Sequence, residues 1–310
     1  MTAKRAKARA PASIGNVAAG YDCLGLAFGA AWDTITAHRE AAPGVRLGCV
    51  SGLVAALPDA VSRNTALRAA GAALEAGGAD FGVRLDLAKG IPLSAGMGGS
   101  AASAVAAALA VNALLPMAID RHSLFACALE GECASSDPPP PDNVAAALYG
   151  DLVLISSAKP PVVTPLPLPT GLTCLLFHPA LEVNTDAARK CLARTVPLQT
   201  AIAQMRHLGA LVAGCCRDDK ALIRQGLRDD LVEPQRAVLV PPFAAVKQAA
   251  LTAGALGCSL SGSGPSVFAW VEHVQMQKVR NAMDAAFKAH GCAATCYQAP
   301  LAPCQAEVLP

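Results

Sequence analysis

Charge and aromatic rings are what this chain has least of. Charged residues fill 15% of its 310 positions and aromatics 4%, with a formal net charge of +2. So weakly basic a surface offers no electrostatic footprint for nucleic acid, and the cluster Lys4, Arg5, Lys7 and Arg9 lacks interleaved aromatics on which bases could stack. No apolar run is long enough for a bilayer: Ala101–Leu115 is alanine-rich, carries Asn112 and stops at Pro116. The basic first ten residues lack the apolar core of a secretory leader, so nothing removable is predicted there. No internal period marks a repeat architecture. These absences predict a cytoplasmic chain with small-molecule partners, no nucleic acid and no membrane; the one protein partner they leave open is a second copy, as a homodimer.

Apolar bulk is abundant. Hydrophobic residues make up 53% of the sequence, ample for two well-buried domains. The twelve cysteines are scattered through apolar segments (Cys23, Cys127, Cys174, Cys258), which predicts buried reduced thiols rather than disulfides. His290, Cys292, Cys296 and Cys304 match no zinc spacing.

The most informative stretch is Gly90-Ile91-Pro92-Leu93-Ser94-Ala95-Gly96-Met97-Gly98-Gly99-Ser100-Ala101-Ala102, a glycine-rich loop running into an alanine-rich helical segment. Three glycines within four residues let backbone N–H groups approach an anion, and the helix aims its partly positive end at the same point. Ser100, at the helix start, can cap the helix or meet a metal ion. The plainer reading is a tight strand-to-helix turn closed by a serine cap. No lysine follows the glycines, so this is not a Walker A loop, and no acid-terminated second strand follows at Rossmann spacing.

Along the chain, strands are predicted near 4–10, 32–38, 83–87, 152–155, 173–177, 257–261, 266–271 and 292–298. Helices are predicted near 64–75, 101–115, 120–133, 185–194, 198–217, 218–229, 243–254 and 274–289. Ser13–Gly25 reads as a small-residue loop in which Asn16 and Asp22 either serve a site or bond their own backbone. Glu130 and Glu132 lie two apart on one helix, so at most one faces a site. The run Asp137–Asn143, with four prolines, reads as an extended connection that cannot be helical, and Lys159–Pro169 reads as a domain junction. Mixed strands and helices in antiparallel-looking units suggest two α+β sandwiches.

Three segments in this order resemble the GHMP small-molecule kinase family: Pro11–Gly25, Pro92–Ala102 and Leu260–Ser266. The patches Asp142-Asn143-Val144-Ala145, Asn184–Arg189 and Glu233–Arg236 are similar to its homoserine kinase branch. The resemblance implies an α+β two-domain GHMP kinase fold, with a ribosomal-S5-like, ATP-binding domain at 1–160 and a ferredoxin-like domain at 161–310. It implies ATP- and Mg²⁺-dependent phosphorylation of the L-homoserine hydroxyl to O-phospho-L-homoserine, on the way to threonine. By the same resemblance Asn64, Pro92, Ser94, Ala95, Gly96, Met97, Gly98, Gly99, Ser100 and Ala101 hold the nucleotide. Ser100 and Glu132 would bind the metal ion and Asn16, Asp22, Asn143, Thr185, Arg189, Arg236 and Gly262 the amino acid. On that resemblance Asn16, Ser100, Glu132 and Arg189 would carry the chemistry.

The residue types suit such a substrate, since homoserine presents a carboxylate, an ammonium and a hydroxyl, calling for a forked cation, an anion and a polar aligner. Three positions depart from the family pattern: Gly99 stands for a usual serine, Pro140 for a usual histidine and Asp151 for a usual glycine. They leave room for another small hydroxyl acceptor. A weakly catalytic ligand sensor on the same fold is a separate alternative, and the presence of both Ser100 and Glu132 argues against it.

Overall fold

The computed structural model describes residues 3–136, 138–158, 161–183 and 185–310. Asp137, Lys159, Pro160 and Asn184, which belong to segments singled out above, lie outside the described residues. So does the side chain of Thr185.

The chain opens with β1 (Arg5–Gly15), β2 (Leu24–Glu40) and β3 (Val45–Gly52), followed by α1 (Thr65–Ala76), β4 (Gly82–Lys89) and α2 (Gly99–Asn112). Then come α3 (Arg121–Glu132), α4 (Pro141–Tyr149), β5 (Leu152–Ala158) and β6 (Pro161–Leu166). The second half runs β7 (Leu172–Pro179), α5 (Thr185–Lys190), α6 (Leu198–Arg217), α7 (Lys220–Gly226), α8 (Glu233–Arg236) and α9 (Phe243–Ala253). It ends with β8 (Gly257–Leu260), β9 (Val267–Glu272), α10 (Met276–Ala289), β10 (Ala294–Pro300) and β11 (Glu307–Leu309).

Strands β11-β1-β2-β4-β3 form one sheet, and β5 joins it against β2 with β6 at its edge. Alanines line almost the whole length of α2, and the thinness of their side chains lets that helix pack closely on β1 and β2 while α1 and α3 flank it. Two of the helix starts that frame this sheet have a plain local cause. Asn64 accepts the N–H groups of Ala66 and Leu67 to cap α1, and Asp120 accepts that of Ser123 to cap α3.

Helix α4 corrects the expectation for 137–143. Pro141 occupies its first turn, where a missing N–H costs nothing, so Asp142 and Asn143 are helical. Strand β6 lies within the proline-rich stretch and beyond the expected boundary at 160/161, yet it pairs with β5. As an edge strand it needs only one side of its ladder, which is why Pro161 and Pro165 are tolerated.

The second sheet has the order β10-β7-β9-β8. With helical segments between β7 and β8 and α10 between β9 and β10, this is the β-α-β-β-α-β ferredoxin-like arrangement. Its helix-side core includes Phe177 and Phe287, stacked at 5.7 Å. All twelve cysteines are free, but only Cys127, Cys174, Cys215 and Cys258 are buried, while Cys49 and Cys216 are exposed. Among the described residues no helix is long and apolar enough to cross a membrane.

Candidate active site

Strand β4 delivers the chain into the glycine-rich loop, which turns through left-handed conformations at Ser94, Gly96 and Gly98 (φ 52°, 67° and 64°). Glycine is required at two of them. A Cβ on Gly98 would lie 2.0 Å from Ser13 Oγ, and one on Gly96 would lie 2.5 Å from the Gly264 carbonyl oxygen. The loop is tied back on both sides: Ser13 N–H donates to the Met97 carbonyl at 2.9 Å, and Ser261 Oγ donates to the Gly96 carbonyl at 2.6 Å. With those carbonyls engaged by the protein, backbone N–H groups and the start of α2 form the loop's polar face. That face suits an anion.

At the first turn of α2, Ser100 Oγ donates to Glu132 Oε2 at 3.0 Å. Glu132 is 5% exposed and its Oε1 is buried without a partner, the one carboxylate oxygen in that condition among the described residues. Burial pushes its carboxyl up to about 7, helped by the nearby charge of Asp142 and opposed by the Ser100 hydrogen bond and the Lys89 ammonium. Glu130, two residues earlier, points to the surface and pairs with Arg68 at 2.7 Å. A desolvated carboxylate with one oxygen unpartnered, beside a hydroxyl, is the donor set Mg²⁺ takes when phosphate oxygens complete its shell.

The opposite corner is built on a strained turn. Asn16, Val17 and Ala18 all have positive φ (69°, 42° and 62°), a run that L-residues avoid unless the surroundings enforce it. Here Asn16 supplies the enforcement. Its backbone N–H donates to Asp142 Oδ2 at 3.0 Å, its Oδ1 accepts the Asp22 N–H at 3.2 Å, and its Nδ2 donates to the Gly262 carbonyl at 3.1 Å. Arg236, 4% exposed, donates to the carbonyls of Ala188 and Gly262 and lies over the Tyr21 ring. Burial raises the carboxyl of Asp22, with Arg189 and Arg236 acting against the rise. Asp142 is pushed up to about 6 by burial and by Asp22, against the pull of the backbone N–H groups of Asn143 and Asn16. Two guanidinium groups beside two desolvated carboxyls complement a zwitterion.

Residues 64–151 match the family model described as the GHMP kinases N-terminal domain, and 211–289 match the GHMP kinases C-terminal model. The chain belongs to the GHMP kinase family. Among relatives of this GHMP kinase, the homoserine kinase of Xylella fastidiosa (strain M12) is 43% identical over 305 residues, covering 97% of this chain and 92% of that one. The homoserine kinase of Chlorobium phaeobacteroides (strain DSM 266) is 41% identical over 295 residues, covering 92% of each. The fold matches the crystal structure of homoserine kinase from Cytophaga hutchinsonii with a TM-score of 0.94 at 38% identity, covering 100% of this chain and 98% of that one.

In this GHMP kinase a single cleft is lined by the loop from Pro92 to Ser100, by Glu132, and by Asn16, Asp22, Asn143, Arg189, Arg236 and Gly262. Ala101 is fully buried and does not line it. Asn64 does, but its side chain is occupied in capping α1 and in donating to the Pro58 carbonyl at 2.7 Å, so it shapes the wall. Pro140 lines the cleft as well. Asp151 is elsewhere: it takes φ 53° at the start of β5 and accepts the Cys304 N–H at 3.1 Å, a backbone role that an aspartate tolerates. Sequence reasoning missed Lys89, Ser103 and Asp142 as lining residues. Asp142 carried a signal, since it precedes Asn143 in the patch already quoted. Lys89 and Ser103 carried none that a single sequence reveals.

Proposed function

We propose that this chain transfers the γ-phosphoryl group of ATP to the side-chain hydroxyl of L-homoserine, giving O-phospho-L-homoserine and ADP, in the cytoplasm. The observation carrying this reading is that the anion-binding loop and the two-arginine, two-carboxylate corner open into the same cleft. Backbone N–H groups between Pro92 and Ser100 receive the triphosphate. Ser100 and Glu132 hold Mg²⁺, which when bound neutralises phosphate charge. Arg189 and Arg236 grip the amino-acid carboxylate while Asp22 receives its ammonium group, and Asn16 and Asn143 set the depth at which the hydroxyl sits. Phosphoryl transfer passes through a loose transition state that rewards alignment and charge neutralisation more than proton abstraction. The relatives named homoserine kinase, close to this chain in length as well as sequence, support the choice of acceptor.

An ADP-release assay across homoserine, threonine, serine and mevalonate tests the reading. Homoserine should give the highest kcat/KM. No turnover with homoserine, alongside turnover of another alcohol, would overturn the acceptor and leave the phosphotransferase.

A further inference from the structure

Beneath the glycine-rich loop lies a buried ion pair that no motif announces. Lys89, the last residue of β4, is 3% exposed, and Asp33, in β2, is fully buried. A lysine lining a nucleotide cleft invites the role of phosphate ligand, and its hydrogen bonds rule that out. An ammonium group has three N–H donors. Lys89 Nζ directs them to Asp33 Oδ2, to Ser103 Oγ at 2.8 Å and to the Gly99 carbonyl at 3.1 Å. Asp33 is equally engaged. Its Oδ1 accepts the N–H groups of Gly90 at 3.0 Å and Ile91 at 3.1 Å, and its Oδ2 accepts both Lys89 and the Ser103 hydroxyl at 2.7 Å. No donor of the lysine is left over for a ligand.

These bonds fall on the two ends of the loop. Asp33 fixes Gly90 and Ile91, where the loop leaves β4, whereas Lys89 and Ser103 fix Gly99 and the first turn of α2, where it finishes. We propose that Asp33, Lys89 and Ser103 are positioning residues that clamp both ends of the 90–99 loop and hold it in its phosphate-receiving shape before any nucleotide arrives. The inference rests on the nucleotide reading of that loop. Its physical basis is preorganisation: a loop already held with three residues in the left-handed conformation has little ordering left to do on binding. An apolar filling of the same space would leave the Gly90 and Ile91 N–H groups buried and unmet.

The test compares the wild type with the double variant Lys89→Met/Asp33→Asn, which removes both charges together and leaves an amide oxygen for the two N–H groups. Lys89→Met alone, which strands a buried carboxylate, should be the less stable protein. ADP affinity is measured by calorimetry, and hydrogen exchange is followed at the amides of 90–99. The double variant should bind ADP ~10-fold more weakly with faster exchange confined to the loop. Its KM for homoserine should stay within about twofold. A folded double variant with wild-type ADP affinity and wild-type loop protection overturns the proposal. Should the double variant fail to fold, Ser103→Ala decides: a smaller shift in the same two readouts supports the clamp, and no shift overturns it. Wild type that binds no ADP would instead refute the nucleotide reading, a separate outcome.

Discussion

Replacing Glu132 by glutamine should make the ligand-free protein more stable while disabling it. In the fold this carboxyl is displaced from its ordinary 4.5 to about 7 by burial, so above neutral pH its ionised form is held at a cost of roughly 3 kcal/mol. The sign follows from proton binding. Between pH 4.5 and 7 the native state binds more protons at this site than the unfolded chain, so its contribution lowers stability as pH rises and is fully adverse above 7. Glutamine keeps the shape and a hydrogen bond to Ser100 without the charge. Urea unfolding should therefore find Glu132→Gln more stable than wild type by up to about 3 kcal/mol at pH 8, with the gap closing as pH falls toward 4.5. Mg²⁺ competes with the proton for the same oxygens, so wild-type Mg²⁺ affinity should drop ~10-fold per pH unit below 7. The variant should lose about 10²-fold or more in kcat at pH 8, and that deficit should narrow as pH falls below 7 and the wild-type carboxyl takes up its proton. A variant less stable than wild type at pH 8, or a gap unchanged between pH 5 and 8, would show that the carboxylate ionises without cost and refute the argument.

Ser100→Ala should lower kcat by about 10²-fold with folding intact, whereas Glu130→Ala, which breaks only a surface pair with Arg68, should leave steady-state rates near wild type. Arg236→Lys should raise the KM for homoserine with little change for ATP, because one ammonium cannot replace a fork that also donates to the carbonyls of Ala188 and Gly262; an acceptor lacking its carboxylate should distinguish wild type from variant far less than homoserine does. Gly98→Ala, with its Cβ 2.0 Å from Ser13 Oγ at φ 64°, should abolish nucleotide binding in calorimetry. Changing Pro139 and Pro140 to glycine and serine should raise the homoserine KM and spare kcat, since it frees a wall of the cleft without touching a polar contact; an unchanged KM would deny that wall any part in binding.

The phosphate loop was legible because its constraint is local: glycines at 96 and 98 answer clashes and positive φ that any sequence with this turn must meet. Helical spacing alone showed that Glu130 and Glu132 diverge, though choosing Glu132 required the family resemblance. Helix α4 was hidden by its own start signal, since a proline that begins a helix looks the same as one that prevents it. Strand β3 is too exposed and β11 too short to leave a period-two pattern, and β6 is disguised by edge prolines. Asp33 and Lys89 are separated by 56 positions. Only the β2–β4 register, which sets Thr34 opposite Ala88, brings them together.

Strand β11 pairs with β1 at Lys7–Arg9, and Arg9 meets Glu307 across a separation of 298 residues. On a ribosome moving at about 5–20 residues per second, the first sheet therefore waits roughly 15–60 s for the strand that covers one of its margins. Through that interval β1 is an open edge, the kind of surface that recruits strands from neighbouring nascent chains. Its residues answer the hazard: Arg5, Lys7 and Arg9 alternate with alanine, and like charges on an open edge repel a second copy of the same strand. The alternation that leaves a weak basic patch on the finished protein is the pattern by which a sheet edge resists pairing with its own copy.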